Sequence, residues 1–232
     1  MTELPGLYSV PLETNLASAL TIPVFLEHDA KAAALAKWWL APKLEESEIV
    51  VYLTVGQGVG AGIVTNGNLL RGTSGVGGEV GHLTIDFNGP ICGCGNHGCL
   101  ELYCSSIALL RNIQSKSTEF GRGGSLEGLT LDKVLDAFRK RESWATRAVG
   151  ESARFLGIGL VSVSNAYGPD RIIIGDEMSH FGREYLDAVK AALAERVNPR
   201  LLKSLHMELE TSNQNGILAG AAALAVGHTL RG

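Results

Sequence analysis

An α/β fold is what this sequence predicts, on three observations. Apolar runs of strand character alternate with apolar residues at helical spacing. The first strand-like runs are joined by hairpin-type turns, whereas the later ones alternate with helices. The 232 residues are 45% hydrophobic and 19% charged, enough to bury one sizeable core or two small ones and too apolar for disorder.

Taken in order, "AKAAALAKWWL" from Ala30 to Leu40 is an alanine-rich helix that Pro42 stops. "EIVVYLTV", "GAGIVTNG" and "NLLRG" follow as an antiparallel meander. Asn66-Gly67 supplies the two left-handed positions of a two-residue hairpin turn. The segment from Leu100 to about Lys116 is expected to be helical, and "SKSTEFGRGGSLEG" an exposed loop. Thr130 caps "LDKVLDAFRK", and Ser143 opens a long helix to about Asn165 that Gly168-Pro169 breaks. "RIIIGD" reads as a buried strand and "REYLDAVKAALAERV" as an amphipathic helix. "HMELE" is a short strand, and "GILAGAAALAV" closes the chain as a small-residue helix.

Composition excludes several function classes. A net charge of -4 offers no basic footprint, so any nucleic-acid contact must come from outside these residues. The first twenty residues lack the basic start and apolar run of a signal peptide, and no segment reaches eighteen apolar residues. A cytoplasmic location without membrane contact is the expectation. In that reducing compartment clustered cysteines favour a metal over disulfides.

Such a cluster exists. Residues 81–103, "GHLTIDFNGPICGCGNHGCLELY", hold three of the four cysteines and two of the six histidines. His82, Cys92, Cys94 and Cys99 form the Cys3His set of a closed structural zinc site, with Gly93, Gly95 and Gly98 easing the tight loop. The alternatives are free buried cysteines or a redox pair, the latter disfavoured because Cys-x-Cys is not a thioredoxin-like spacing. His97 lies inside the small Cys94–Cys99 loop and is expected to be exposed, and Cys104 to pack in the core.

The stretch "GGEVGHLTIDFNGPICGCGNHGCLELY" resembles the zinc-site signature of the ROK family, which groups bacterial sugar kinases with sugar-responsive transcriptional repressors. "PVFLEHDAKAAALA" is similar to the family's catalytic-aspartate segment and "LTVGQGVGAGIV" to its second phosphate-binding turn. "NAYGPDRIIIGDEMS" continues the match towards the closing helix. The resemblance implies an actin-like, hexokinase-type sugar-kinase fold, mainly its C-terminal lobe, with a structural zinc loop at 82–99. Residues 1–25 would be a remnant of the N-terminal lobe and residues 26–232 the sugar-binding lobe. It implies Glu79, His82, Glu101 and Asp29 as sugar ligands and Asp29 as general base if the protein is a kinase. Gly56, Gln57, Gly58 and Gly60 would hold phosphate. Read without the family, Glu79 and Glu101 are surface acids, Asp29 a helix cap and the glycine turn structural.

Three positions depart from the kinase pattern: Gln57 stands where kinases carry threonine, His28 where they carry asparagine, and Gly175-Asp176 where they carry Gly-Gly. These departures resemble the repressor branch. The family's first phosphate motif, and the winged helix-turn-helix of its repressors, would lie upstream of this sequence. The expectation is therefore the effector-sensing part of a sugar-responsive transcriptional regulator. The alternative is a fragment of an ATP-dependent hexose or N-acylhexosamine kinase, inactive as this chain alone. The implied partners are a sugar or sugar phosphate, a second copy in a homodimer, and DNA only through a missing N-terminal segment. Structural Zn2+ is the implied cofactor, with ATP and Mg2+ only for a kinase. Lacking the first lobe, the closing helix is expected to lose its packing partner, and Pro23–Leu26 to leave an open sheet edge.

Overall fold

The computed structural model describes residues 10–40, 48–121, 127–210 and 216–231. Pro42 and part of the "SKSTEFGRGGSLEG" segment lie outside the described residues. Helix α1 spans Leu12–Leu20 and α2 spans Asp29–Leu40. Strands β1 (Val50–Val55), β2 (Val59–Thr65) and β3 (Asn68–Leu69) follow. Then come α3 (Glu101–Cys104), α4 (Ser106–Ser115), α5 (Leu131–Arg139) and α6 (Ser143–Tyr167). The chain continues through β4 (Arg171–Gly175), α7 (Gly182–Ala194), α8 (Pro199–Ser204), β5 (His206–Leu209) and α9 (Gly216–Arg231).

The strands form one sheet in the order β3-β2-β1-β4-β5. The β1, β2 and β3 pairings are antiparallel, with Asn66 and Gly67 at φ 49° and 71° in the turn between β2 and β3. By contrast, β4 is parallel to both β1 and β5. A mixed sheet of this kind follows from connection length: a two-residue turn can only reverse the chain, whereas helices carry it back to run parallel.

Both faces of the sheet are covered, which is why β1 and β4 read as continuous apolar runs. Val51, Leu53, Ile172 and Ile174 point into the larger core, which Leu156 and Leu160 of α6 and Val189 and Leu193 of α7 complete. Val50, Tyr52 and Ile173 point the other way, against Ala33 and Leu35 of α2 and Leu224 of α9.

Four expectations need correction. The closing helix has a partner within the chain: α9 packs along α2, and a Cβ built on Gly220 would lie 1.8 Å from the Ala32 carbonyl oxygen, a contact only glycine permits. Pro23–Leu26 is neither helix nor strand, so it forms no sheet edge; Pro23 has no N–H to donate, and the outermost strands of the sheet are β3 and β5. Apolar side chains are nonetheless exposed at this end: Leu12, Leu16 and Leu20 four residues apart on α1, Phe25 and Leu26 after it, and Leu218 and Val226 on α9. The helix expected from Leu100 to Lys116 divides at Ser105, whose extended backbone (ψ 162°) ends α3 and whose Oγ accepts from Ala108 N–H to cap α4. Finally, the segment after α4 is not wholly exposed, because the Phe120 ring is buried in the larger core.

Candidate functional site

A cleft opens where β1 and β4 end side by side, the place where parallel strands direct loops and helix starts towards ligands. Its volume is about 350 Å³, and it is lined from four directions. His28 and Asp29 come from the start of α2, and Thr54, Gln57, Gly58, Val59 and Gly60 from the β1–β2 hairpin. Glu79, His82 and Glu101 come from the cysteine loop and its flanks, and Asp176 and Glu177 from the turn after β4. The structure thus gathers Asp29, Gln57, Gly58, Gly60, Glu79, His82 and Glu101 around one space.

Beside the cleft, one ligand atom each from His82, Cys92, Cys94 and Cys99 lies within 4.8 Å of the others. Tetrahedral Zn–S bonds of about 2.3 Å require sulfur atoms about 3.8 Å apart. Cys94 Sγ and Cys99 Sγ stand 3.7 Å apart, and Cys92 Sγ stands 3.7 Å from His82 Nδ1, so the donor set fits a tetrahedral zinc ion. Burial, then the neighbouring thiols Cys92 and Cys94, pushes the Cys99 thiol up to about 12. Three thiolates so close together need a cation to hold them charged. Gly95 and Gly98 take positive φ (88° and 61°) in the loop, whereas Gly93 does not and has open space around it, so only two of the three glycines are required by its geometry. His97 is exposed, with Nδ1 3.2 Å from the Gly89 carbonyl, and Cys104 is fully buried.

The orientation of His82 connects loop and cleft. Its Nδ1 faces the sulfurs, while Nε2 lies 3.9 Å from Glu79 Oε2. A metal on Nδ1 would fix the neutral tautomer with its proton on Nε2, presenting a donor beside the Glu79 carboxylate, while Glu101 Oε1 lies 3.8 Å from Nδ1.

Asp29 is held by its neighbour. His28 Nδ1 is 2.9 Å from Asp29 Oδ1, which also accepts from the Ala30 N–H at 2.7 Å; Asp29 is the first residue of α2, and His28, whose carbonyl accepts from the Ala32 N–H, stands at the cap position. The hydrogen bond to His28 lowers the Asp29 carboxyl below its ordinary 3.8, and the same bond raises His28 above 6.5. The pairing makes Asp29 a weaker proton acceptor than an unpaired aspartate. The attraction within the pair is present between those two values; it fades as pH falls through the lowered Asp29 value and as pH rises through the raised His28 value. An NMR titration of His28 should give a midpoint above 6.5 that moves down in Asp29→Asn. A midpoint unmoved by that substitution would contradict the pairing.

Sequence reasoning did not assign Thr54 or Glu177 to the site, and marked Asp176 only as a departure from the kinase pattern. Their position at the carboxyl ends of two runs readable as strands was the available signal. Asp176 is unusual in its backbone, with φ 69° and ψ −164°, a region essentially reserved for glycine and costing another residue about 1–3 kcal/mol. Its carboxylate lies directly over Gly56, where a Cβ would come within 2.2 Å of Oδ2. Burial, with added repulsion from Glu177 and Asp29, raises the Asp176 carboxyl above its ordinary value. Gly56 does not offer its amide to the cleft, since that N–H donates to the Gly58 carbonyl at 3.0 Å.

Comparison with known proteins follows the same lines as the geometry. The ROK family pattern matches residues 2–228. The xylose repressor of Caldicellulosiruptor bescii is 30% identical over 227 residues, covering 96% of this chain and 57% of the repressor. The glucokinase of Halalkalibacterium halodurans is 31% identical over 223 residues, covering 93% of this chain and 67% of the kinase. The chain thus spans a little over half the length of the repressor. Among solved structures, the ROK hexokinase of Thermus thermophilus superposes with a TM-score of 0.74 at 35% identity, over 94% of this chain and 71% of the hexokinase. A glucokinase from Streptomyces griseus, in complex with glucose and AMPPNP, superposes with a TM-score of 0.77 at 29% identity, over 92% and 72%. Repressors and sugar kinases are both similar to it over nearly all its residues, and on that shared pattern this chain belongs to the ROK family.

Proposed function

We propose that this chain is the effector-binding part of a sugar-responsive transcriptional regulator, with a monosaccharide held in the cleft between α2 and the cysteine loop. Carboxylates at Glu79, Glu101 and Asp29 accept hydrogen bonds from sugar hydroxyls, and His82 Nε2 donates one. Zinc on His82, Cys92, Cys94 and Cys99 supplies the charge that keeps the thiolates ionised and the loop closed. The loop then places His82 and Glu101 at fixed positions, so that sugar binding closes the cleft and favours one state of a dimer over the other. DNA contact belongs to a segment upstream of these residues, and the location consistent with this role is the cytoplasm. Among the described residues no helix is long and apolar enough to cross a membrane.

The observation that carries the repressor reading is the His28–Asp29 pair, which weakens the residue that a kinase needs as base. The kinase reading has its own support: Asp29, Glu79 and Glu101 line one cavity together. Titration calorimetry with xylose, glucose and N-acetylmannosamine distinguishes the site, and a coupled assay with ATP and Mg2+ distinguishes the activity. The expected result is binding of at least one sugar, weakened about tenfold or more by Glu101→Ala, with no phosphorylation. Sugar binding unchanged in Glu101→Ala would place the site elsewhere. ATP-dependent turnover abolished in Asp29→Asn would establish the kinase instead.

A further inference from the structure

Among the described residues five carboxylates line the cleft, from Asp29, Glu79, Glu101, Asp176 and Glu177, and no lysine or arginine does. The lysine of α2 nearest to them in sequence, Lys31, is buried and directs its Nζ to the Gly75 carbonyl, on the loop that leads to Glu79. Three of the carboxylates have side-chain or backbone partners in the protein: Asp29 takes His28 and the Ala30 N–H, Glu177 takes the Ser106 hydroxyl, and Glu101 lies 3.4 Å from the Cys92 sulfur. Asp176 is the one laid across the glycine turn, its Oδ2 against Gly56. It stands there in a backbone conformation that glycine would adopt without strain.

We infer that this cleft accepts an uncharged monosaccharide and rejects phosphorylated ligands, and that Asp176 is the residue that sets the discrimination. The inference rests on the sugar-binding reading above and goes beyond it by naming the charge class of the ligand and its gatekeeper. Sugar hydroxyls can donate to every one of these carboxylates, so a neutral sugar gains from each. A phosphate group has acceptor oxygens only and two negative charges near neutral pH, so it meets repulsion from each, and the His28 imidazole in the lining is already paired with Asp29. The Asp176 carboxylate lies against Gly56 at the β1–β2 turn, so its charge stands on that side of the cleft. Like-charge exclusion of this kind selects between ligands by penalising the wrong one.

The test uses calorimetry on the full chain and on Asp176→Asn and Asp176→Gly, with glucose and glucose 6-phosphate as a matched pair and inorganic pyrophosphate as a sugar-free probe. The parent is expected to bind the neutral sugar at least about thirtyfold more tightly than its phosphate, and to give no heat with pyrophosphate. Both substitutions should narrow the sugar ratio about tenfold or more and bring pyrophosphate binding into range. Asp176→Asn keeps the side-chain shape and removes the charge, so a ratio changed only by Asp176→Gly would assign the effect to backbone relaxation and overturn the inference. Equal binding of the two sugars by the parent would overturn it too, while leaving the sugar-binding reading intact. If neither sugar binds any of the proteins, that reading falls, and pyrophosphate alone decides: binding gained in both variants supports anion exclusion by Asp176, and none gained refutes it.

Discussion

Replacing Cys94 by serine is expected to strip the metal from this chain and to remove much of its stability. The purified protein should carry about one zinc per chain, and the variant little. Metal binding of this kind is folding free energy, because the four donors are brought within 4.8 Å of one another only when the loop is formed. The loop also supports the core: Cys99 and Leu100 are fully buried, and the Thr84–Cys99 and Ile91–His97 bridges tie its two arms together. A loss of several kcal/mol in a chain of this size lowers the melting temperature on the order of 10 °C. Differential scanning calorimetry with metal analysis checks it, and a zinc-free protein that melts cooperatively at the parent temperature would refute the metal site.

Gly62→Val is the second large effect expected. A Cβ at Gly62 would lie 2.3 Å from the Ala30 carbonyl oxygen and 2.5 Å from the Ala34 Cβ, so β2 can touch α2 only through a glycine. Forcing them apart costs at the upper end of about 1–3 kcal/mol, and a melting temperature lowered by roughly 6–12 °C should follow. The same displacement moves the start of α2, where His28 and Asp29 enter the cleft. Sugar affinity should therefore fall with stability. The control is Gly150→Ala in α6, where a Cβ meets nothing within 4 Å and helix propensity favours alanine by about 1 kcal/mol. Equal behaviour of the two variants in a denaturant titration would show that the contact between β2 and α2 is not close-packed.

Apolar periodicity and turn chemistry by themselves determined the elements. The β1–β2–β3 meander, the buried β4, the αL stop of α6 at Gly168 and the partnering of His82 with three cysteines all follow from local spacing, because each depends on residues near in sequence. Only the tertiary structure decided what those elements meet. That α9 packs on α2 rather than lying uncovered depends on Gly220 facing Ala32, residues far apart in the chain. That Asp29 is paired is local, since His28 precedes it, but that both face Glu79, Glu101 and Asp176 across one cleft requires the sheet to bring four separate segments to the ends of β1 and β4. The strain at Asp176 was equally invisible, since a sequence names the side chain but not the φ and ψ it must adopt. Charge at a site is a sum over neighbours in space, and for this chain that sum, five carboxylates around one cavity, exists only once the fold has gathered them.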